Sequence, residues 1–354
     1  MLSINELKCR FRKNDTFYFY ANIIRYWRKK DFRDMVRGFC KSDVVLVQHP
    51  GKKKPDLFIY RAGAKNLGLF GEVLFTLGLL YYAEAFCLKP VVDWSNNCCY
   101  LEKRPLNGTT NAFEYYFKPV SEISYTDVEQ YYNVVYSSWG QVEMILPTRS
   151  WDSWSYQNRQ SLIGKFSILY KKYFVLNDRT RAYIDENLEI KLGGKQILGV
   201  HVRGTDFKRQ YDNHPVCVTG EDYIKPAREI MNKYGYRQLF LATDSLEVLE
   251  LFKQEFGPSL VYYDDVFRSD GDVGVHYMKD SRKNHHYLLG VEILRDAYTL
   301  AACDSFLAGL SNVSLAVQYI KLSEGEEFKE VEILDHGINH NNRRFGKSER
   351  GKHK

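Results

Sequence analysis

Three short stretches hold the residues best suited to chemistry: His201-Val202-Arg203-Gly204-Thr205-Asp206, Thr243-Asp244-Ser245 and Gly309-Leu310-Ser311-Asn312. Each follows an apolar run that reads as a buried strand, so each places polar groups at a strand's carboxyl end, the usual ligand edge of an open α/β sheet. An arginine in that place is costly to desolvate unless it meets an anion. Its forked donors match a phosphate, so Arg203 is read as an anion ligand. Asp244, Ser245 and Ser311 also stand directly before helical patterns, where helix capping alone would account for them.

The elements that must position these residues follow from periodicity. In the second half, strands are predicted at 196–202, 238–243, 260–263 and 305–308, with helices over 220–234, 246–256, 287–302 and 313–322 and a further strand at 331–334. Strand and helix in alternation argue for a doubly wound parallel sheet. Pro226 fits the first of these helices poorly and predicts a kink or a later start. In the first half, strands are expected at 44–47, 57–60 and 90–94, with a helix over 72–87 and a glycine-rich loop over 61–71 that contains Asn66 and Gly68. Backbone amides at such a loop and helix start favour an anion. The stretch 95–172 is rich in Tyr, Trp and Asn, with helices expected at 112–117 and 157–173. A charged helix over 178–189 leads to Gly193-Gly194, the best linker candidate.

The organisation expected is therefore an aromatic and basic segment (1–41), an N-terminal domain (42–190), a C-terminal domain (195–335) and a basic tail (343–354). The excess of 50 Lys and Arg over 44 Asp and Glu, +6 in 354 residues, is too small and scattered to make nucleic acid a partner. The seven cysteines lack metal-ligand spacing and read as reduced thiols. No N-terminal stretch has the layout of a signal peptide, and the longest apolar run is interrupted and far short of the ~20 residues a span needs, so the expected location is the cytoplasm. Residues 17–33 interleave aromatic rings with cations, which suits either peripheral contact with the inner face of a membrane or a helix packed on the first domain.

Taken together and in order, His201 to Asp206, Phe240-Leu241-Ala242-Thr243-Asp244 and Phe306 to Asn312 resemble the three donor-site motifs of the fucosyltransferase superfamily, which includes α1,6-fucosyltransferases, the rhizobial nodulation fucosyltransferase and protein O-fucosyltransferases. The glycine-rich loop, helix and Pro-Val-Val-Asp-Trp (90–94) look like bacterial members of that group. The resemblance implies an α/β fold of the GT-B type, two Rossmann-like doubly wound domains facing a cleft. It also implies a GDP-fucose donor, inversion at the anomeric carbon and no required metal or other cofactor. By position it puts Arg203 at the diphosphate, His201 and Asp296 at the guanine, and Ser311 and Asn312 at the β-phosphate, with Asp206 and Asp244 shaping the site. The partners expected are a sugar nucleotide and a glycan acceptor, a surface polysaccharide or oligosaccharide.

Two positions depart from the α1,6-enzymes, which carry a second Arg where this chain has Gly204 and a second Asp where it has Ser245. In those enzymes a Glu precedes a His-Pro pair. Here Asp212 precedes His214-Pro215 with one residue fewer between, making Asp212 the candidate base and His214, with Asn66 and Gly68, an acceptor-side or loop residue. Against this stands Asp270-Gly271-Asp272, which could hold a divalent metal for another nucleotide sugar. A non-catalytic nucleotide-sugar or glycan-binding module is the remaining alternative.

Overall fold

The computed structural model describes residues 44–50, 52, 56–61, 67–85, 88–137, 156–194, 196–211 and 214–339. Segment 17–33, the basic tail 343–354, Asn66 and Asp212 lie outside the described residues.

The second half forms a five-stranded sheet from β5 (Leu198–Val202), β6 (Leu239–Thr243), β7 (Leu260–Val261), β8 (Ser305–Gly309) and β9 (Val331–Leu334), in the order β7-β6-β5-β8-β9. All four pairings are parallel. Every residue of β5, β6 and β8 is buried, as expected for central strands covered on both faces. The chain moves one way from β5 to β6 and β7, then returns to the other side for β8 and β9. That reversal sets a switch point at the adjacent carboxyl ends of β5 and β8, where such sheets open a crevice. β7 is shorter than expected, because Tyr262 and Tyr263 leave the ladder after Val261.

The first half forms a four-stranded sheet from β1 (Val44–Gln48), β2 (Leu57–Arg61), β3 (Lys89–Asp93) and β4 (Asn133–Ser137), in the order β1-β4-β2-β3. β2 pairs in parallel with β3 and β4, and β1 closes the edge antiparallel to β4. The sheet is thus mixed, not uniformly parallel, and β4 is an addition to the predicted elements. Helix α1 (Leu69–Ala85) makes the β2-to-β3 crossover and is apolar on most sides, with Leu69, Phe70, Val73, Leu77 and Leu80 all buried.

The remaining helices are α2 (Tyr156–Tyr173), α3 (Asp178–Leu192), α4 (Ile224–Tyr234), α5 (Leu246–Phe256), α6 (His285–Ala302) and α7 (Asn312–Ser323). Pro226 is the third residue of α4, a first-turn position whose missing N–H leaves no bond unmade, so the helix starts late and does not kink. Residues 112–117 form only a short 3-10 turn, Ala112–Tyr115. Gly193 ends α3 in the left-handed conformation at φ 50°.

α2 and α3 precede Gly193 in sequence but pack on α7 and α6 of the second half, and one apolar core runs through α1, α2, α6 and α7. Tyr116 marks the joint. Its ring stacks on Tyr287 at 5.6 Å and its hydroxyl donates to the Tyr287 carbonyl at 3.1 Å. Gly290 of α6 makes room for it, since a Cβ there would fall 2.1 Å from the Tyr116 hydroxyl oxygen. Gly290→Ala is therefore expected to lower stability by about 1–3 kcal/mol in urea unfolding, the usual cost of overpacking a well-filled core. Among the described residues no helix is long and apolar enough to cross a membrane.

Candidate active site

Arg203 leaves the end of β5 and is met by Asp244, which leaves the end of the neighbouring β6. Arg203 Nη1 lies 2.9 Å from Asp244 Oδ2. The same carboxylate accepts from the Gly204 amide at 2.9 Å through Oδ1 and from the Thr205 hydroxyl at 2.7 Å through Oδ2. One aspartate thus holds three consecutive residues of the β5 loop. Asp244 is itself fixed by its carbonyl, which accepts from the Ser269 amide at 2.9 Å, while Ser245 caps α5 through Val248. The Arg203 side chain keeps about a fifth of its surface exposed.

At β8 the chain turns directly into α7. Ser311 is the N-cap, its hydroxyl accepting from the Ser314 amide at 3.0 Å, and Ser314 returns the contact to the Ser311 amide at 3.0 Å. Ser311 therefore builds the helix start, and the positive end of α7 is presented beside β5. Asn312, the first residue of α7, reaches the start of α1, since a Cβ on Gly71 would lie 3.5 Å from Asn312 Nδ2. Two helix N-termini, one from each sheet, meet here. Gly68 stands just before α1, whose Leu69 amide donates to the Tyr100 hydroxyl at 2.7 Å. Burial pushes the Tyr100 hydroxyl well up, and Arg203 nearby opposes that shift.

A cleft opens from Arg203 along α6, with His201, Glu292 and Asp296 as its other polar groups beside Asp244 and Val266, Phe267, Leu289 and Ile293 among its apolar walls. His201 and Asp296 are both almost fully buried. Burial holds the His201 imidazole down to about 4, with Arg203 adding to the effect and Asp244 opposing it, so the ring is neutral near pH 7. Its Nδ1 has no hydrogen-bond partner among the described residues.

The two carboxylates on α6 differ sharply. Glu292 is bound by Arg282 at 2.5 and 3.2 Å and by the Phe267 amide at 3.2 Å. Asp296, one turn on, is pushed up to about 7 by burial, against the pull of Arg295 and Arg268. Arg295 itself turns away, bound to Asp265 at 2.5 and 3.0 Å and to Tyr183 at 2.7 Å, with its guanidinium 3.8 Å from the Tyr263 ring. Of the two carboxylates, Glu292 is the one that Arg282 binds.

The fold brings His201, Arg203, Asp244 and Asp296 together in one cleft, with Ser311, Asn312 and Gly68 at its neighbouring helix starts. Asp206 opens a short 3-10 turn, Asp206–Arg209, directly after this loop. His214 follows Tyr211, their rings 5.8 Å apart, and its carbonyl accepts from the Asn339 amide at 2.8 Å. Asp272 is bound by Arg209 at 2.9 and 3.2 Å, and Asp270 is exposed. Among the described residues no three His, Cys, Asp or Glu side chains are grouped to hold a metal.

No protein-family model matches the chain, and a comparison with curated proteins gives no match. Among solved structures the chain is similar to a NodZ alpha-1,6-fucosyltransferase co-crystallized with GDP (18% identity, TM-score 0.43, covering 76% of this chain and 93% of that one). It is also similar to fucosyltransferase NodZ from Bradyrhizobium (19%, 0.42, 75% and 92%) and to POFUT1 in complex with GDP-fucose (12%, 0.44, 82% and 99%). At these TM-scores the likenesses decide nothing about this chain's ligand, and the case rests on its own residues.

Several contacts that shape the site have no local signal in the sequence. Arg282 and Glu292 are ten residues apart, the first in the loop before α6 and the second within it. The Asn339 side chain, which donates to the carbonyls of His214 and Pro215 at 3.2 Å each, comes from beyond the last strand. Asp244 was visible as a cap-like residue at a strand end, but its hold on Gly204 and Thr205 joins residues about forty apart.

Proposed function

We propose that the protein is an inverting, metal-independent glycosyltransferase that transfers fucose from GDP-fucose to a hydroxyl of a glycan acceptor. The observation that carries this reading is that buried Asp296 and neutral His201 line the same cleft as Arg203. A guanine edge offers two adjacent donors, N1–H and the 2-amino group, which a carboxylate accepts side by side. Adenine and uracil lack that pair. Arg203 and the amides at the start of α7 then meet the diphosphate, and the N-terminus of α1 adds to the positive field.

In the transfer, the acceptor oxygen forms a bond to the anomeric carbon as that carbon's bond to the β-phosphate oxygen breaks, and the electron pair leaves with GDP. Arg203, held by Asp244, stabilises the charge that grows on the phosphate, a contribution of roughly 3–4 kcal/mol per well-placed donor. The acceptor proton passes to a base, for which Asp212 is the candidate. The three-motif resemblance supports fucose as the sugar.

GDP release from GDP-fucose is expected to be unchanged by EDTA, because Arg203 and helix amides take the part a divalent ion would play and Asp272 is occupied by Arg209. Activity abolished by EDTA and restored by Mn²⁺ would favour Asp270 and Asp272 as metal ligands instead.

A further inference from the structure

Gly204 is buried between Arg203 and Thr205, and its backbone does not adopt a left-handed conformation. Its lack of a side chain therefore answers a demand for space. A Cβ at 204 would lie 2.5 Å from Ser245 Cβ, 3.2 Å from Ser245 Oγ and 3.3 Å from a methyl of Val248. Ser245 cannot step aside cheaply. It is 2% exposed, its amide donates to the Thr243 hydroxyl at 3.2 Å, its hydroxyl caps α5 through the Val248 amide at 3.4 Å, and it bridges to Ser269. The atom in the way is a Cβ fixed to this pinned backbone, not the free end of a long side chain.

We infer that the contact between Gly204 and Ser245 positions Arg203, making both of them positioning residues for the diphosphate. The β5 and β6 loops approach closely enough for one carboxylate, Asp244, to bind Arg203, the Gly204 amide and the Thr205 hydroxyl together. With this chain's loops as they stand, a Cβ at 204 meets the Ser245 Cβ, which forces the loops apart and breaks that three-point hold, so the guanidinium loses its aim. Gly204 and Ser245 need not touch the ligand. This rests on the reading of Arg203 as the diphosphate ligand.

The test is a double-mutant cycle of Gly204→Ala and Ser245→Gly, read by GDP affinity in calorimetry, by thermal midpoint and by the crystal structure of Gly204→Ala. The expectation is that Gly204→Ala weakens GDP binding by roughly tenfold or more, since small misplacements of a binding group are costly. The Arg203 to Asp244 contact should open from 2.9 Å in its structure. Ser245→Gly lowers the midpoint through the weakened cap, and adding it to Gly204→Ala recovers most of the lost affinity, the coupling expected of residues in contact. An unchanged Arg203 to Asp244 contact in Gly204→Ala, or a double variant no better than the single one, overturns the inference. Native protein that binds no GDP would instead overturn the functional reading, and the crystal structure and the midpoints of the cycle would still decide whether the contact positions Arg203.

Discussion

Arg203→Ala is expected to lower turnover by roughly 10²-fold or more while moving the thermal midpoint little. The two effects separate because of how Asp244 is satisfied. When the guanidinium is removed, Asp244 still accepts from the Gly204 amide and the Thr205 hydroxyl, so no buried carboxylate is left without donors. Arg203 is also partly exposed, and its loss empties little of the core. Asp244→Ala is a different change, since it unties all three residues of the loop and should lower stability and turnover together. Single-turnover kinetics beside thermal unfolding distinguish the two variants. Near-native turnover in Arg203→Ala would remove Arg203 from the site.

The second large effect is expected at Asp296. Asp296→Asn should weaken GDP binding by roughly 10- to 100-fold, the range for losing hydrogen bonds to a charged group. It should also change the pH profile. In the unliganded protein burial pushes this carboxyl up to about 7, and only its ionised form accepts two donors from one base edge. GDP affinity of the native protein should therefore fall by up to about tenfold per unit as pH drops below about 7, and level off above it. Because the group is raised above its unfolded value, the stability it contributes is present at acid pH and is lost as pH rises to about 7. Bound nucleotide draws the group back down. His201, held down to about 4, is neutral throughout that window and does not account for the slope. Between pH 6 and 8 the asparagine variant should lose the part of the slope that Asp296 contributes and keep only the shallower one from ionisation of the nucleotide's terminal phosphate; a slope equal to the native protein's would assign the titration elsewhere.

The second sheet was legible because β5, β6 and β8 are five-residue runs buried on both faces, and such runs end abruptly at polar residues. Their order also placed Arg203, Asp244 and Ser311 at one edge. β4 escaped because Asn133–Ser137 is a brief apolar stretch among tyrosines and asparagines, and its place in the sheet depends on β1 and β2, about seventy or more residues away. Asp296 had only a position in a helix to mark it. What singles it out, burial beside a cleft while Glu292 is taken by Arg282, exists only after α6 and the loop before it have packed.

The two departures from the fucosyltransferase motifs, Gly204 and Ser245, looked independent in sequence. In the fold they are one contact, with the space of the first filled by the side chain of the second.

Whether the cleft at the carboxyl ends of β5 and β6 takes a guanosine diphosphate is read out by calorimetric titration of the native protein with GDP, ADP and UDP at pH 7.5. Saturable one-to-one binding of GDP is expected, with ADP and UDP at least roughly tenfold weaker because neither base offers Asp296 two adjacent donors. Equal affinity for all three nucleotides, or no binding of GDP, would contradict it.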